Sequence, residues 1–236
     1  WESGRQVQVR GLVLDRERQQ LGDVHGAIKV GRAGQRGICS GFMFSISENL
    51  RQVRSRLALA CAAAHRGVDD VTLLAVSKTC PAEAVRAAHA AGQRAFGENY
   101  VQEALDKIAA LADMRAGLEW HLIGPLQSNK TRVVAESFDW VHAVDRLKIA
   151  ERLSSQRPQH LPALNICLQV NVSGEASKSG VAPAELPALA HAVAGLPRLR
   201  LRGLMSIPEP VEGLGAQRAP HRELHRWFDK LVQSGL

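Results

Sequence analysis

Lys78 closes an apolar run, Val71-Thr72-Leu73-Leu74-Ala75-Val76-Ser77-Lys78, and is followed by Thr79-Cys80-Pro81 and a helical pattern. A primary amine at the C-terminal end of a buried strand, just ahead of a helix, stands where α/β barrels put their chemistry. Desolvation there disfavours the ammonium and frees a nucleophile able to form a Schiff base with an aldehyde or ketone. Taken alone, the same lysine reads more simply as a strand-end side chain whose stem packs and whose ammonium reaches solvent. The neighbouring sequence decides between these readings.

Three further polar segments fall at strand ends. In Phe96-Gly97-Glu98-Asn99-Tyr100 the Asn99 amide can hydrogen-bond a ring oxygen, and Gly97 permits close backbone approach. The simpler alternative makes Glu98 or Asn99 the cap of the next helix. In Trp120-His121-Leu122-Ile123-Gly124-Pro125-Leu126-Gln127-Ser128-Asn129-Lys130, His121 is a candidate for the barrel interior. Alternatively it is a satisfied core histidine, with Ser128 or Asn129 capping a helix and Lys130 on its solvent face. The run from Asn171 to Val181 is long, polar and bounded by Gly174 and Gly180, as expected of a mobile loop. Lys178 and Ser179 offer contacts to an anionic group there, although a solvated loop explains them equally. Its spacing is not that of a phosphate-binding P-loop.

Elements that place these residues follow from periodicity. Strands are expected at 71–77, 94–97, 118–123, 140–144, 165–171 and 199–207. Helices are expected at 81–91, 98–111, 128–137, 146–156, 183–194 and 220–232, preceded by one that Ser47 caps and Gly67 stops. Gly92, Gly117 and Gly195 mark helix ends, and Pro81 and Pro183 suit first helical turns. Alternating buried strands and helices imply a parallel sheet. The expected fold is a (β/α)8 TIM-type barrel, here incomplete with about six βα units of the eight that closure requires. A complete six-stranded doubly wound sheet is the alternative, but no Gly-x-Gly-x-x-Gly turn follows the first strand.

Composition narrows the function classes. Hydrophobic residues make up 45% of the 236, enough for a substantial core. Apolar runs stay short of membrane-spanning length, and Trp1-Glu2-Ser3-Gly4-Arg5 does not read as a signal peptide. Cys39, Cys61, Cys80 and Cys167 are scattered, so reduced cytoplasmic thiols are expected rather than a disulfide framework or a metal site. The net charge of +7 is spread along the chain and aromatics are only 4%, so no specific nucleic-acid partner is expected. Residues 1–42 are rich in Gly, Arg and Gln and lack periodicity; they read as a disordered or non-homologous extension, with Met43 resembling a natural start.

In order along the chain stand Leu73-Leu74-Ala75-Val76-Ser77-Lys78-Thr79, Phe96-Gly97-Glu98-Asn99-Tyr100-Val101-Gln102-Glu103, the Trp120–Lys130 segment, Ser177-Lys178-Ser179-Gly180 and Gly203-Leu204-Met205-Ser206-Ile207-Pro208. As an ordered set they resemble the pyridoxal phosphate homeostasis protein family, whose fold is like the N-terminal barrel of alanine racemase. The resemblance runs from about Ser47 to the C-terminus. It implies that Lys78 holds pyridoxal 5'-phosphate as a Schiff base and that Asn99 faces the cofactor. Met205 and Ser206 then lie near it at the end of the sixth strand; His121 is counted with the cofactor-binding residues on its candidate place in the barrel interior, not on the resemblance. It further implies a carrier or regulator in vitamin B6 homeostasis without established turnover, cytoplasmic, monomeric or weakly dimeric, supplying PLP-dependent apo-enzymes.

Two departures from the family pattern bear on this reading. Cys80 stands where the family commonly has lysine, which removes a charge and adds a thiol able to compete for an aldehyde. The family's Ser/Gly-rich phosphate loop and its final Arg-x-Gly strand have no counterpart, so residues 43–236 are expected to form a barrel lacking its last two βα units. Open edges at strands one and six, and either weak cofactor binding or poor folding, are the expected consequences. Two other functions compete. A PLP-dependent racemase or decarboxylase would need a second domain bearing a catalytic tyrosine, and Tyr100 is the sole tyrosine. A cofactor-free aldolase would use Lys78 directly on a substrate carbonyl.

Overall fold

The computed structural model describes residues 45–174, 179–209 and 211–236. The expected extension over residues 1–42, the start at Met43 and the anion contact from Lys178 lie outside the described residues. The described residues fall into two compact units, the first ending at Trp120 and the second beginning at His121.

The first unit contains α1 (Ile46–Ala63), β1 (Ala75–Val76), α2 (Ala82–Ala90), β2 (Ala95–Glu98), α3 (Val101–Ala110) and the first half of β3 (Glu119–Leu122). Ser45, not Ser47, caps α1, its hydroxyl accepting the Glu48 N–H. Leu50, Val53 and Cys61 form the buried side of that helix. β1 is shorter than the apolar run that announced it. It pairs with β2 in parallel, Ala75 opposite Phe96 and Val76 opposite Gly97, and one more bond runs from Ser77 N–H to Gly97 O at 2.9 Å. Upstream of β1 the Leu73 carbonyl is satisfied by the Gln93 side chain at 2.7 Å rather than by a strand. An apolar pattern reports burial, whereas a ladder also needs a neighbouring backbone. Phe96 and Trp120 fill this unit's interior, their ring centroids 5.9 Å apart.

The second unit contains α4 (Thr131–Ser137), β4 (Trp140–Val144), α5 (Leu147–Gln156), β5 (Leu164–Gln169), α6 (Leu186–Ala194), β6 (Leu199–Met205) and α7 (Leu214–Gln233). β3 pairs with β4, β4 with β5 and β5 with β6, all parallel. The strands follow sequence order from β1 to β6 in one six-stranded sheet. That order, with helices between strands, is the TIM-barrel pattern expected from the sequence. Every residue of β2 and β4 is buried, the signature of strands covered on both faces.

Three local expectations are corrected. Pro183 lies ahead of α6, in the turn closed by Glu185 N–H on Ala182 O at 2.9 Å, and Pro187 takes the first-turn place. Pro81 is the N-cap of α2 rather than its first residue. α7 begins at Leu214, upstream of Pro220, because Gly213 O already accepts the Gln217 N–H at 3.0 Å; the proline sits inside the helix and removes one N–H from its ladder. No helix among the described residues is long and apolar enough to cross a membrane.

Candidate functional site

Lys78 sits in the tight turn between β1 and α2. The Ser77 carbonyl accepts the Cys80 N–H at 3.0 Å, closing that turn. Thr79 adopts a left-handed conformation, φ 62°. For a β-branched residue this costs about 1–2 kcal/mol, so neighbouring contacts must hold it there. Lys78 itself is half-buried and, among the described residues, no hydrogen bond or ion pair engages it. Cys80 is buried at 5% exposure, so its thiol is enclosed rather than presented at the turn's surface.

Beneath the turn lies a buried charged cluster. Lys107 Nζ, on α3, donates to Glu98 Oε1 at 2.6 Å, to Ser77 O at 2.8 Å and to Glu103 Oε1 at 3.2 Å. The Ser77 hydroxyl also donates to Glu98 Oε1, at 2.6 Å. Glu103 in turn accepts the Thr79 N–H. Burial pushes the Glu98 carboxyl above its ordinary value, against the pull of Lys107 and Ser77. Glu98 is therefore not the cap of α3; neither is Asn99, since Tyr100 holds that place without a side-chain bond. Sequence reasoning overlooked Lys107. Its readable signal was a lysine three residues after Ala104 on the buried face of α3, four after Glu103.

Asn99 follows the last residue of β2, and its Oδ1 is buried without a hydrogen-bond partner among the described residues. In the second unit, Met205 ends β6 and is buried, and the hydroxyl of the next residue, Ser206, is likewise buried and unpartnered among the described residues. Orphaned polar atoms at strand C-termini are what a polar ligand would satisfy. Thus Lys78, Asn99, Met205 and Ser206 all fall at C-terminal strand ends, and the first two lie on adjacent strands.

His121 lies within β3, buried, with Nδ1 2.9 Å from Nε2 of His142 on β4. Its ring stacks on Trp140 at 5.3 Å, and the Arg202 guanidinium lies 5.6 Å from the Trp140 centroid. Burial, followed by the His121 charge, holds His142 well below the ordinary 6.5. The sign is therefore clear. Below 6.5 the unfolded chain takes up a proton that the native His142 refuses, so stability falls as the solution is acidified. Melting curves from pH 7.5 down to pH 5 should show that decline, and His142→Gln should flatten it; parallel slopes would refute the assignment. Burial also pushes the Cys167 thiol up to about 12, leaving it inert.

The loop after β5 is anchored at both described ends. Gln169 Nε2 donates to Ser179 O at 2.9 Å, and the Val181 N–H donates to Gln169 O at 2.8 Å. Gly180, at φ 133°, passes so close to the backbone that a Cβ would lie 2.6 Å from Asn171 N. Ser128 and Asn129 do not cap α4 through their side chains; instead Thr131 Oγ1 donates to Ser128 O at 2.9 Å. No cluster of three or more His, Cys, Asp or Glu suited to a metal occurs among the described residues.

The alanine racemase N-terminal domain family matches residues 49–235. A pyridoxal phosphate homeostasis protein of Pseudomonas aeruginosa is 65% identical over 182 residues, covering 77% of this chain and 78% of the relative. The structure of PipY of Synechococcus elongatus PCC7942 with PLP bound aligns with TM-score 0.69 at 38% identity, covering 80% of this chain and 83% of PipY. The alanine racemase of Corynebacterium glutamicum aligns with TM-score 0.52 at 16% identity over 67% of this chain and 45% of the enzyme, a likeness of fold alone.

Proposed function

We propose, from the premise that this chain belongs to the alanine racemase N-terminal domain family and to its pyridoxal phosphate homeostasis members, that it binds pyridoxal 5'-phosphate through Lys78 and serves vitamin B6 homeostasis without catalytic turnover. The observation that carries this is the Lys78 turn: a half-buried, disengaged amine at the end of β1, beside the orphaned Asn99 oxygen at the end of β2. PipY, a structural relative, has been seen with PLP bound. The cofactor's aldehyde supplies the electrophile, and its condensation with a primary amine releases one water. Lys78 is the attachment point in this reading. The amide of Asn99 orients the ring in the same reading.

The reading without turnover rests on the name that the relatives carry. Cytoplasmic residence and transfer of PLP to apo-enzymes belong to the same proposal. Borohydride reduction of the chain with PLP, followed by peptide mass mapping, tests it. The expected result is one stable adduct on the peptide containing Lys78. Label spread over exposed lysines would overturn it. Efficient trapping of pyruvate or a sugar phosphate in place of PLP would instead favour a cofactor-free aldolase.

A further inference from the structure

Glu103 stands in the first turn of α3, three residues after the N-cap Tyr100. Glutamate at that position ordinarily folds back to its own helix's first N–H groups. Here it reaches away, to the peptide N–H of Thr79 and to Lys107 Nζ. Lys107, one helical turn later, reaches the Ser77 carbonyl at 2.8 Å. Side chains from one helix thus hold the backbone immediately after and immediately before Lys78. Glu98, buried at 0% exposure, meets Lys107 Nζ at 2.6 Å and is its ion-pair partner inside the protein.

We propose that Glu103 and Lys107 are positioning residues for Lys78: they clamp the peptide groups on either side of it, hold Thr79 left-handed, and so set the direction in which the Lys78 side chain leaves the turn. Neither touches the cofactor in this account. The clamp acts by removing backbone freedom that the amine would otherwise lose when it meets the aldehyde. Thr79 is the point of leverage, because its conformation is disfavoured without the bond from its N–H to Glu103. This inference deepens the cofactor-binding reading and rests on it.

The test uses the full chain and its Glu103→Ala and Glu103→Gln variants. Two quantities are followed: amide hydrogen exchange of the peptide spanning 77–80, and the rate of borohydride-trapped PLP labelling at Lys78. Glu103→Ala is expected to speed exchange of the Thr79 amide and to slow labelling about tenfold. Glu103→Gln keeps a carbonyl acceptor and is expected to restore much of both. A merely structural role would lower the melting temperature without this paired loss and rescue. Should Glu103→Ala melt below the assay temperature, the double variant Glu103→Ala/Thr79→Gly replaces it. Glycine occupies the left-handed region freely, so with both variants measured at one lower temperature, where both are folded, the double variant is expected to label faster than the alanine variant.

Unchanged labelling in Glu103→Ala, or a Gln variant no better than the Ala variant, would overturn the clamp. If the wild-type chain itself shows no selective label at Lys78, the cofactor reading falls. The exchange arm then still decides the clamp, since unchanged exchange of the Thr79 amide in Glu103→Ala overturns it.

Discussion

Lys78→Ala is expected to reduce borohydride-trapped PLP labelling on the 77–80 segment to background while leaving the fold intact. Lys78 is half-buried and engages no partner among the described residues, so truncating it strands no buried charge and breaks no network. The loss therefore reports chemistry rather than stability, which distinguishes this position from its neighbours. Lys78→Arg sharpens the test. Arginine keeps the charge and much of the bulk but has no primary amine able to condense with an aldehyde under these conditions. It too is expected to give background label, while retaining more noncovalent PLP affinity than alanine. A native melting curve and circular dichroism spectrum for both variants confirm that the comparison is sound. Substantial label in Lys78→Arg, mapped to another lysine, would show that the attachment point has been misassigned.

Lys107→Met should be among the most destabilising single substitutions in the first unit. The Lys107 side chain is 4% exposed and that of Glu98 fully buried, and they meet at 2.6 Å. Removing one partner of a buried pair leaves the other charged and unpaired, at a cost of about 3–5 kcal/mol. Lys107→Met/Glu98→Gln, which removes both charges, should recover a large part of that loss. The cost should also depend on pH. Burial already raises the Glu98 carboxyl above its ordinary 4.5, and Lys107 opposes that rise. Without the ammonium the carboxyl rises further. A carboxyl with a raised folded value stabilises the native state below the unfolded value, and that contribution is lost as pH rises through the folded value. Urea denaturation should therefore show the variant closest to wild type near pH 4.5 and furthest from it above neutrality. A deficit that does not change with pH would mean that Glu98 takes up its proton at the same pH with and without Lys107, and would overturn the assignment.

The core packing around this cluster leaves its members little room to shift. Phe96 and Trp120 are both buried to within 1%. β2 carries Phe96 and Glu98 on one short, wholly buried strand, so the apolar interior and the ionic cluster share a backbone. A shift of β2 to accommodate a changed Glu98 would have to carry Phe96 with it, and close-packed interiors resist such movement.

Strand and helix order was legible in the residues because hydrophobic periodicity reports which segments are buried and on how many faces. β4 at Trp140–Val144 matches its expected bounds, a mostly apolar run set between Asp139 and Asp145. The placement of Lys78 and Asn99 at strand ends followed from the same pattern. Less legible was everything that depends on which backbone lies alongside. β1 shrank to two residues because a ladder needs a partner, and α7 ran through Pro220 because its ladder was already started upstream. Glu98 read as a helix cap from its local sequence, yet packing drew it into an ion pair with Lys107 and left the cap to Tyr100. His121 presented as a lone polar side chain until its neighbour His142 was placed against it by strand pairing. Periodicity is a one-dimensional record of burial and says nothing of the contacts between residues distant in the chain. Those contacts hold the peptide groups on either side of Lys78, and they arise only once α3 packs beneath the turn.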